Sequence, residues 1–104
     1  MITMKIQIEA KAFATALAKL KPHSKKVREP GPIQIAATGN IIMLTGTLDS
    51  SAMAVATVLI LGNGYLPLDS VLRVMKTYKK GTLIELQCEE GYFWINKMKL
   101  QVSR

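Results

Sequence analysis

The chemistry this sequence can do in quantity is charge neutralisation by lysine and arginine. Six basic residues with no intervening acid fall between positions 11 and 28: Lys11, Lys19, Lys21, Lys25, Lys26 and Arg28. Four more, Arg73, Lys76, Lys79 and Lys80, fall between positions 70 and 82, again without an acid. By contrast, Asp49 is the one charge between positions 32 and 64. The 104 residues carry fourteen Lys/Arg against seven Asp/Glu, a net charge of +7. An ammonium or guanidinium near a phosphate releases counterions without reading any base, so a surface of this kind suits a polyanion. Any single lysine among them reads equally well as a solvated helix face.

Catalytic chemistry finds no constellation. His23 sits in a basic loop with no Cys or His at metal-ligand spacing. Cys88 falls between Leu86 and the Glu89-Glu90 turn on the inward face of a strand, and a buried thiol is ordinarily a small hydrophobe. Glu89 and Glu90 are adjacent, so on a strand they point to opposite faces rather than sharing a proton. Gly62-Asn63-Gly64 lacks the following lysine and hydroxyl of a phosphate loop and reads as a turn. We therefore expect no enzyme, no metal and no cofactor.

The elements that must position the basic residues follow from periodicity. Residues 5–8 alternate as a strand. Ala12, Phe13, Ala16, Leu17 and Leu20 recur at helical spacing, and Pro22 is expected to stop that helix. Residues 21–31 form a polar, basic loop. Residues 33–38 and 41–47 form a hairpin about Gly39-Asn40, and residues 52–61 a third strand. Past the expected turn at Gly62-Asn63-Gly64, residues 65–68 form a short strand. Asp69 or Ser70 then caps a helix ending at Gly81, whose polar stripe is Ser70, Arg73, Thr77 and Lys80. Residues 83–89 and 92–96 form a second hairpin about Glu90-Gly91. Residues 97–102 form the last strand, with Met98, Leu100 and Val102 inward. The order repeats, giving one domain, 1–104, with halves 1–61 and 64–104. The longest apolar stretch, 52–61, is too short to span a membrane.

Several segments resemble a known family in order and spacing. Met4-Lys5-Ile6-Gln7-Ile8 with Phe13-Ala14-Thr15-Ala16-Leu17 is similar to the first strand and helix of a bacterial DNA sliding-clamp domain, the beta subunit of DNA polymerase III. Ile41-Ile42-Met43-Leu44-Thr45-Gly46-Thr47 resembles that family's next signature strand. Tyr65-Leu66-Pro67-Leu68 with Val71-Leu72, and Tyr92-Phe93-Trp94-Ile95-Asn96, resemble later ones. The resemblance covers nearly the whole chain and matches one of the three domains a family chain carries. It implies an α+β DNA-clamp fold: a duplicated β-α-β-β-β unit with two helices packed on one face of antiparallel sheet. It further implies that Lys11, Lys19, Arg73, Lys76 and Lys80 face the DNA backbone in a ring.

Two functions stay open. One is a non-enzymatic clamp-like protein that associates with duplex DNA without sequence preference, as a homo-oligomer or with other clamp and replication proteins, supporting processivity. Its expected DNA-contacting residues are Lys11, Lys19, Lys21, Lys25, Lys26, Arg28, Arg73, Lys76 and Lys80. The other is a clamp-fold interaction module or regulator that encircles nothing. Its expected partner interface is Tyr92, Trp94, Leu100 and Val102. With one cysteine and no visible signal segment, the expected compartment is the cytoplasm.

Overall fold

The computed structural model describes residues 2–24, 33–46, 51–79 and 81–102, with the side chains of residues 21–24 excepted. In chain order the elements are β1 (Ile2–Glu9), α1 (Ala10–Ser24), β2 (Ile33–Thr38), β3 (Ile41–Thr45), β4 (Ser51–Val55) and β5 (Thr57–Ile60). They continue as β6 (Gly62–Leu66), α2 (Leu68–Met75), β7 (Leu83–Glu89), β8 (Tyr92–Ile95) and β9 (Met98–Gln101). The strands form two antiparallel sheets, ordered β5-β1-β7-β8-β9 and β4-β3-β2-β6. This is the expected α+β duplication, with the strands divided between two sheets rather than laid in one.

The duplication has an exchanged element. β1 leaves its own half to pair with β7, in register from Glu9 opposite Leu83 to Met4 opposite Cys88, with a one-residue shift before Ile2 meets Glu89. β6 leaves the second half to pair with β2, Ile33 opposite Leu66. The order β6-β2-β3-β4 thus matches β1-β7-β8-β9, each half closing the other's hairpin. Period-two alternation drives this, because Met4, Ile6 and Ile8 on β1 and Ile84, Leu86 and Cys88 on β7 all point inward and are buried. Phe13, Leu17 and Leu20 of α1 and Val71 of α2 fill the same core, each fully buried.

Three expectations about the middle of the chain are corrected. Residues 52–61 are not one strand. β4 ends at Val55, and the buried Ala56, whose N–H donates to Asn40 O at 2.9 Å, is the corner from which β5 joins the other sheet beside β1. Gly62-Asn63-Gly64 is not a turn but part of β6. Its glycines serve a close approach: a Cβ at Gly62 would collide with the Thr3 carbonyl, and one at Gly64 would lie 2.6 Å from Cys88 Cβ. The strand expected at 65–68 ends at Leu66, because Leu68 already belongs to α2.

The helix ends also differ. α1 continues through Pro22 to Ser24. Pro22 has no N–H to give the carbonyl four residues back, so the last residues of α1 continue without that ladder bond. α2 stops at Met75 rather than Gly81, and Pro67, without a side-chain hydrogen bond, stands at its N-cap where Asp69 or Ser70 was expected. Tight turns then take over: Thr77 N–H and Oγ1 both donate to Val74 O, at 3.0 and 2.6 Å. Thr77 therefore leaves the expected polar stripe.

Asn96 ties the exit of α2 to the sheet. In the two-residue turn between β8 and β9 it holds φ 53, a conformation asparagine tolerates better than most residues. Its Oδ1 accepts the Glu85 N–H at 2.9 Å, and its Nδ2 donates to Tyr78 OH at 3.2 Å. Asn96→Ala is expected to cost about 2 kcal/mol in a urea titration, combining left-handed strain with the loss of both side-chain hydrogen bonds. Asn96→Gly, which removes the bonds but not the freedom of φ, should lose clearly less. Equal losses would mean that the backbone conformation contributes nothing.

Candidate nucleic-acid interface

α1 and α2 lie side by side, and the groove between them is lined by basic residues above an apolar floor. Its volume is about 440 Å³, and Ala10, Ala14, Ala18, Met75 and Tyr78 contribute the apolar wall. Lys11, Lys76 and Lys79 stand at its margin, all three exposed. The alanines of α1 recur at four-residue spacing, so one face of the helix stays thin enough to leave a channel. Thr15 adds a hydroxyl to the same wall. The chemistry offered is three exposed ammonium groups over an apolar surface.

Of the nine expected DNA-contacting residues, Lys11 and Lys76 line this groove. Lys19, at the far end of α1, and Arg73, on α2, are exposed on the same helix pair. Lys21 lies within α1, with its side chain outside the described residues; Lys25, Lys26, Arg28 and Lys80 lie outside them altogether. Lys79 was not among the expected residues, yet it lines the groove. It stands three residues after Lys76, in the segment that follows the early end of α2 at Met75.

The expected partner-interface residues divide. Tyr92 and Trp94 point outward from β8 while Phe93 and Ile95 between and after them are fully buried. Leu100 and Val102 are half-buried and pack against the domain's own core. Val102 N–H also donates to Gly91 O at 2.9 Å. Met98, expected inward, is 46% exposed because it directly follows the Asn96-Lys97 turn.

Among the described residues no group of three or more His, Cys, Asp or Glu could hold a metal ion. Cys88 is fully buried, and desolvation pushes its thiol from the ordinary 9.0 up to about 12. The raised value means the folded state keeps its proton after the unfolded chain has lost it. Stability from this group is therefore complete below pH 9 and is lost as the pH rises from 9 towards 12. Cys88→Ala should flatten the alkaline arm of stability against pH, and native protein at neutral pH should resist iodoacetamide until unfolded. Rapid alkylation of the native protein would show the thiol to be accessible.

No protein-family model and no curated protein sequence matches the chain. Solved structures do. The Caulobacter crescentus beta sliding clamp superposes with a TM-score of 0.76 at 16% identity, over 95% of this chain and 29% of that one. The Pseudomonas aeruginosa DNA polymerase III subunit beta gives a TM-score of 0.76 at 17% identity, over 96% and 30%. The Bartonella birtlesii DnaN sliding clamp, bound to griselimycin, gives 0.74 at 15%, over 96% and 29%. The chain spans about three-tenths of the length of these clamps. Nearly all of its described structure thus carries the fold of one domain of a bacterial DNA polymerase III beta sliding clamp.

Proposed function

We propose that this protein is a non-enzymatic clamp-type module that associates with duplex DNA through the α1–α2 face, several copies joining into a ring. The observation that carries this reading is the groove lined by Lys11, Lys76 and Lys79 on a helix pair from which Lys19 and Arg73 also project. Lysines held loosely over an apolar floor neutralise phosphates without fixing a register, which is what sliding requires. The shared fold with sliding clamps supports it. Assembly needs a joint, and β4 and β9, equivalent strands of the two halves, are each the last strand of a sheet. Antiparallel pairing of β4 from one copy with β9 from the next is a head-to-tail contact, the kind that closes rings.

Light scattering and DNA retention test this together. The protein is expected to be a closed oligomer that binds duplex DNA with steep salt dependence and is retained on nicked circular plasmid but lost from its linear form. A monomer that ignores DNA at low salt would overturn the reading.

One observation favours the second reading, a clamp-fold interaction module. The outward face of the four-stranded sheet exposes Met43, Met53, Val55 and Tyr65 among uncharged neighbours. Apolar surface of that kind commonly serves protein contacts. Under this reading the same light-scattering experiment gives a monomer, and plasmid topology makes no difference.

A further inference from the structure

The groove between α1 and α2 offers two chemistries, and a fully paired duplex meets only one of them. Lys11 stands on the α1 bank and Lys76 and Lys79 on the other, all exposed, and no acidic residue lines the groove. Beneath them the lining is apolar: Ala10 and Met75 are buried, Ala14 and Tyr78 half-buried. The stretch from Ala10 to Ala18 runs about 12 Å along α1, at about 1.5 Å per residue. Tyr78 packs against the domain's core, and its OH accepts from Asn96 Nδ2 at 3.2 Å, which holds the ring in place. The volume of about 440 Å³ is of the size that encloses small organic groups.

Charge complementarity makes the occupant anionic, and the floor decides what else it carries. A duplex presents phosphates and sugars outward and keeps its base faces stacked inside. It can rest on the lysines of both banks, yet it has no base face to lower between them. An unpaired nucleotide has both parts: an anionic backbone that follows the lysines and a flat base that covers apolar and aromatic side chains. We infer that the groove holds a short unpaired stretch of DNA, with base faces on the floor and phosphates at Lys11, Lys76 and Lys79. On the nucleic-acid reading of this face, on which this rests, paired DNA passes over the groove and unpaired DNA is gripped by it. A clamp-type ring with this property slides along duplex and slows at a gap.

Fluorescence anisotropy compares the full chain on three labelled DNAs of equal length: a fully paired duplex, the same duplex with a six-nucleotide gap in one strand, and the gapped duplex with abasic sugars opposite the gap. The gapped DNA is expected to bind about tenfold more tightly than the paired one, and the abasic DNA to lose that advantage, because stacking of bases supplies it. Ala18→Gln, at an exposed position, and Ala14→Gln, at a half-buried one, each lay a longer neutral side chain over the floor. Both should erase the preference for the gap, and Ala18→Gln should do so with paired-DNA affinity and thermal midpoint unchanged. Equal binding of gapped and paired DNA overturns the inference and leaves duplex association standing, whereas binding to neither removes both. A preference that survives the abasic sugars, or survives both glutamine variants, places the bases elsewhere and equally overturns it. So does displacement of the gapped DNA by a capped glutamate octapeptide, which would make the groove a peptide site.

Discussion

Gly62→Ala is expected to abolish or nearly abolish folding, whereas Gly39→Ala should be mild. The difference is not in local conformation alone, since Gly39 holds a left-handed φ of 57 and yet has nothing within 4 Å of its missing Cβ. At Gly62 the added methyl would enter the space of the Thr3 carbonyl, in β1 between Ile2 and Met4, both of which pair with β7. Backbone on backbone leaves neither partner free to turn away, so β6 and β1 must separate. A loss on the order of 4–5 kcal/mol follows, in the exceptional range for a single substitution. It is a large share of the roughly 5–15 kcal/mol available to a domain of this size. Gly64→Ala should be intermediate, about 2–3 kcal/mol, because its obstacle is the Cys88 side chain, with Cβ at 2.6 Å and Sγ at 2.7 Å. Urea midpoints by circular dichroism would rank the three. A Gly62→Ala midpoint equal to that of Gly39→Ala would show that the strands yield easily.

The second large effect concerns binding. Replacing Lys11, Lys76 and Lys79 together by glutamine should lower affinity for duplex DNA roughly a hundredfold at physiological salt. It should also reduce the slope of log K against log salt by roughly 2–3, close to 0.9 for each phosphate no longer neutralised. All three residues are exposed, so stability should change little. Lys97→Gln, in the β8–β9 turn, serves as a control and should change neither quantity appreciably. Fluorescence anisotropy with a labelled duplex at several salt concentrations measures both. An unchanged slope in the triple variant would remove the helix groove from DNA binding, and an equal effect of Lys97→Gln would make the binding a property of net charge.

Much of the fold was legible because two periods are hard to confuse. Ile33, Ile35 and Ala37 alternate about a Gly39-Asn40 turn, and Phe13, Leu17 and Leu20 recur as a helix stripe; both elements are present, although α1 runs on past Pro22 to Ser24. Leu86 and Phe93 flank Glu90-Gly91 in the same manner, and Gly91 holds φ 81 there. What was not legible depended on distant chain. Ala56 looks like any other small residue in an apolar run, and only the position of β1 tells the strand where to change sheets. Gly62 and Gly64 carry the local signature of a turn, but their purpose lies at Thr3 and Cys88, far away in sequence. The helix face was legible in Lys11 and Lys76 through charge and spacing. Lys79 was not, because its placement follows from α2 ending at Met75, which no local residue announces.

The strand exchanged between halves also sets an order of events during synthesis. β1 is translated well before β7, its longest partner, and Ile2 waits for Glu89. At about 5–20 residues per second, the 87 positions that separate them take roughly 4–17 s to appear. Throughout that time Met4, Ile6 and Ile8 have no permanent place to bury themselves. Pairings this distant in sequence make folding slow relative to helical domains of equal length. The nascent chain therefore emerges with the apolar face of β1 unsatisfied, and the native domain closes only when the β7–β8 hairpin has left the ribosome.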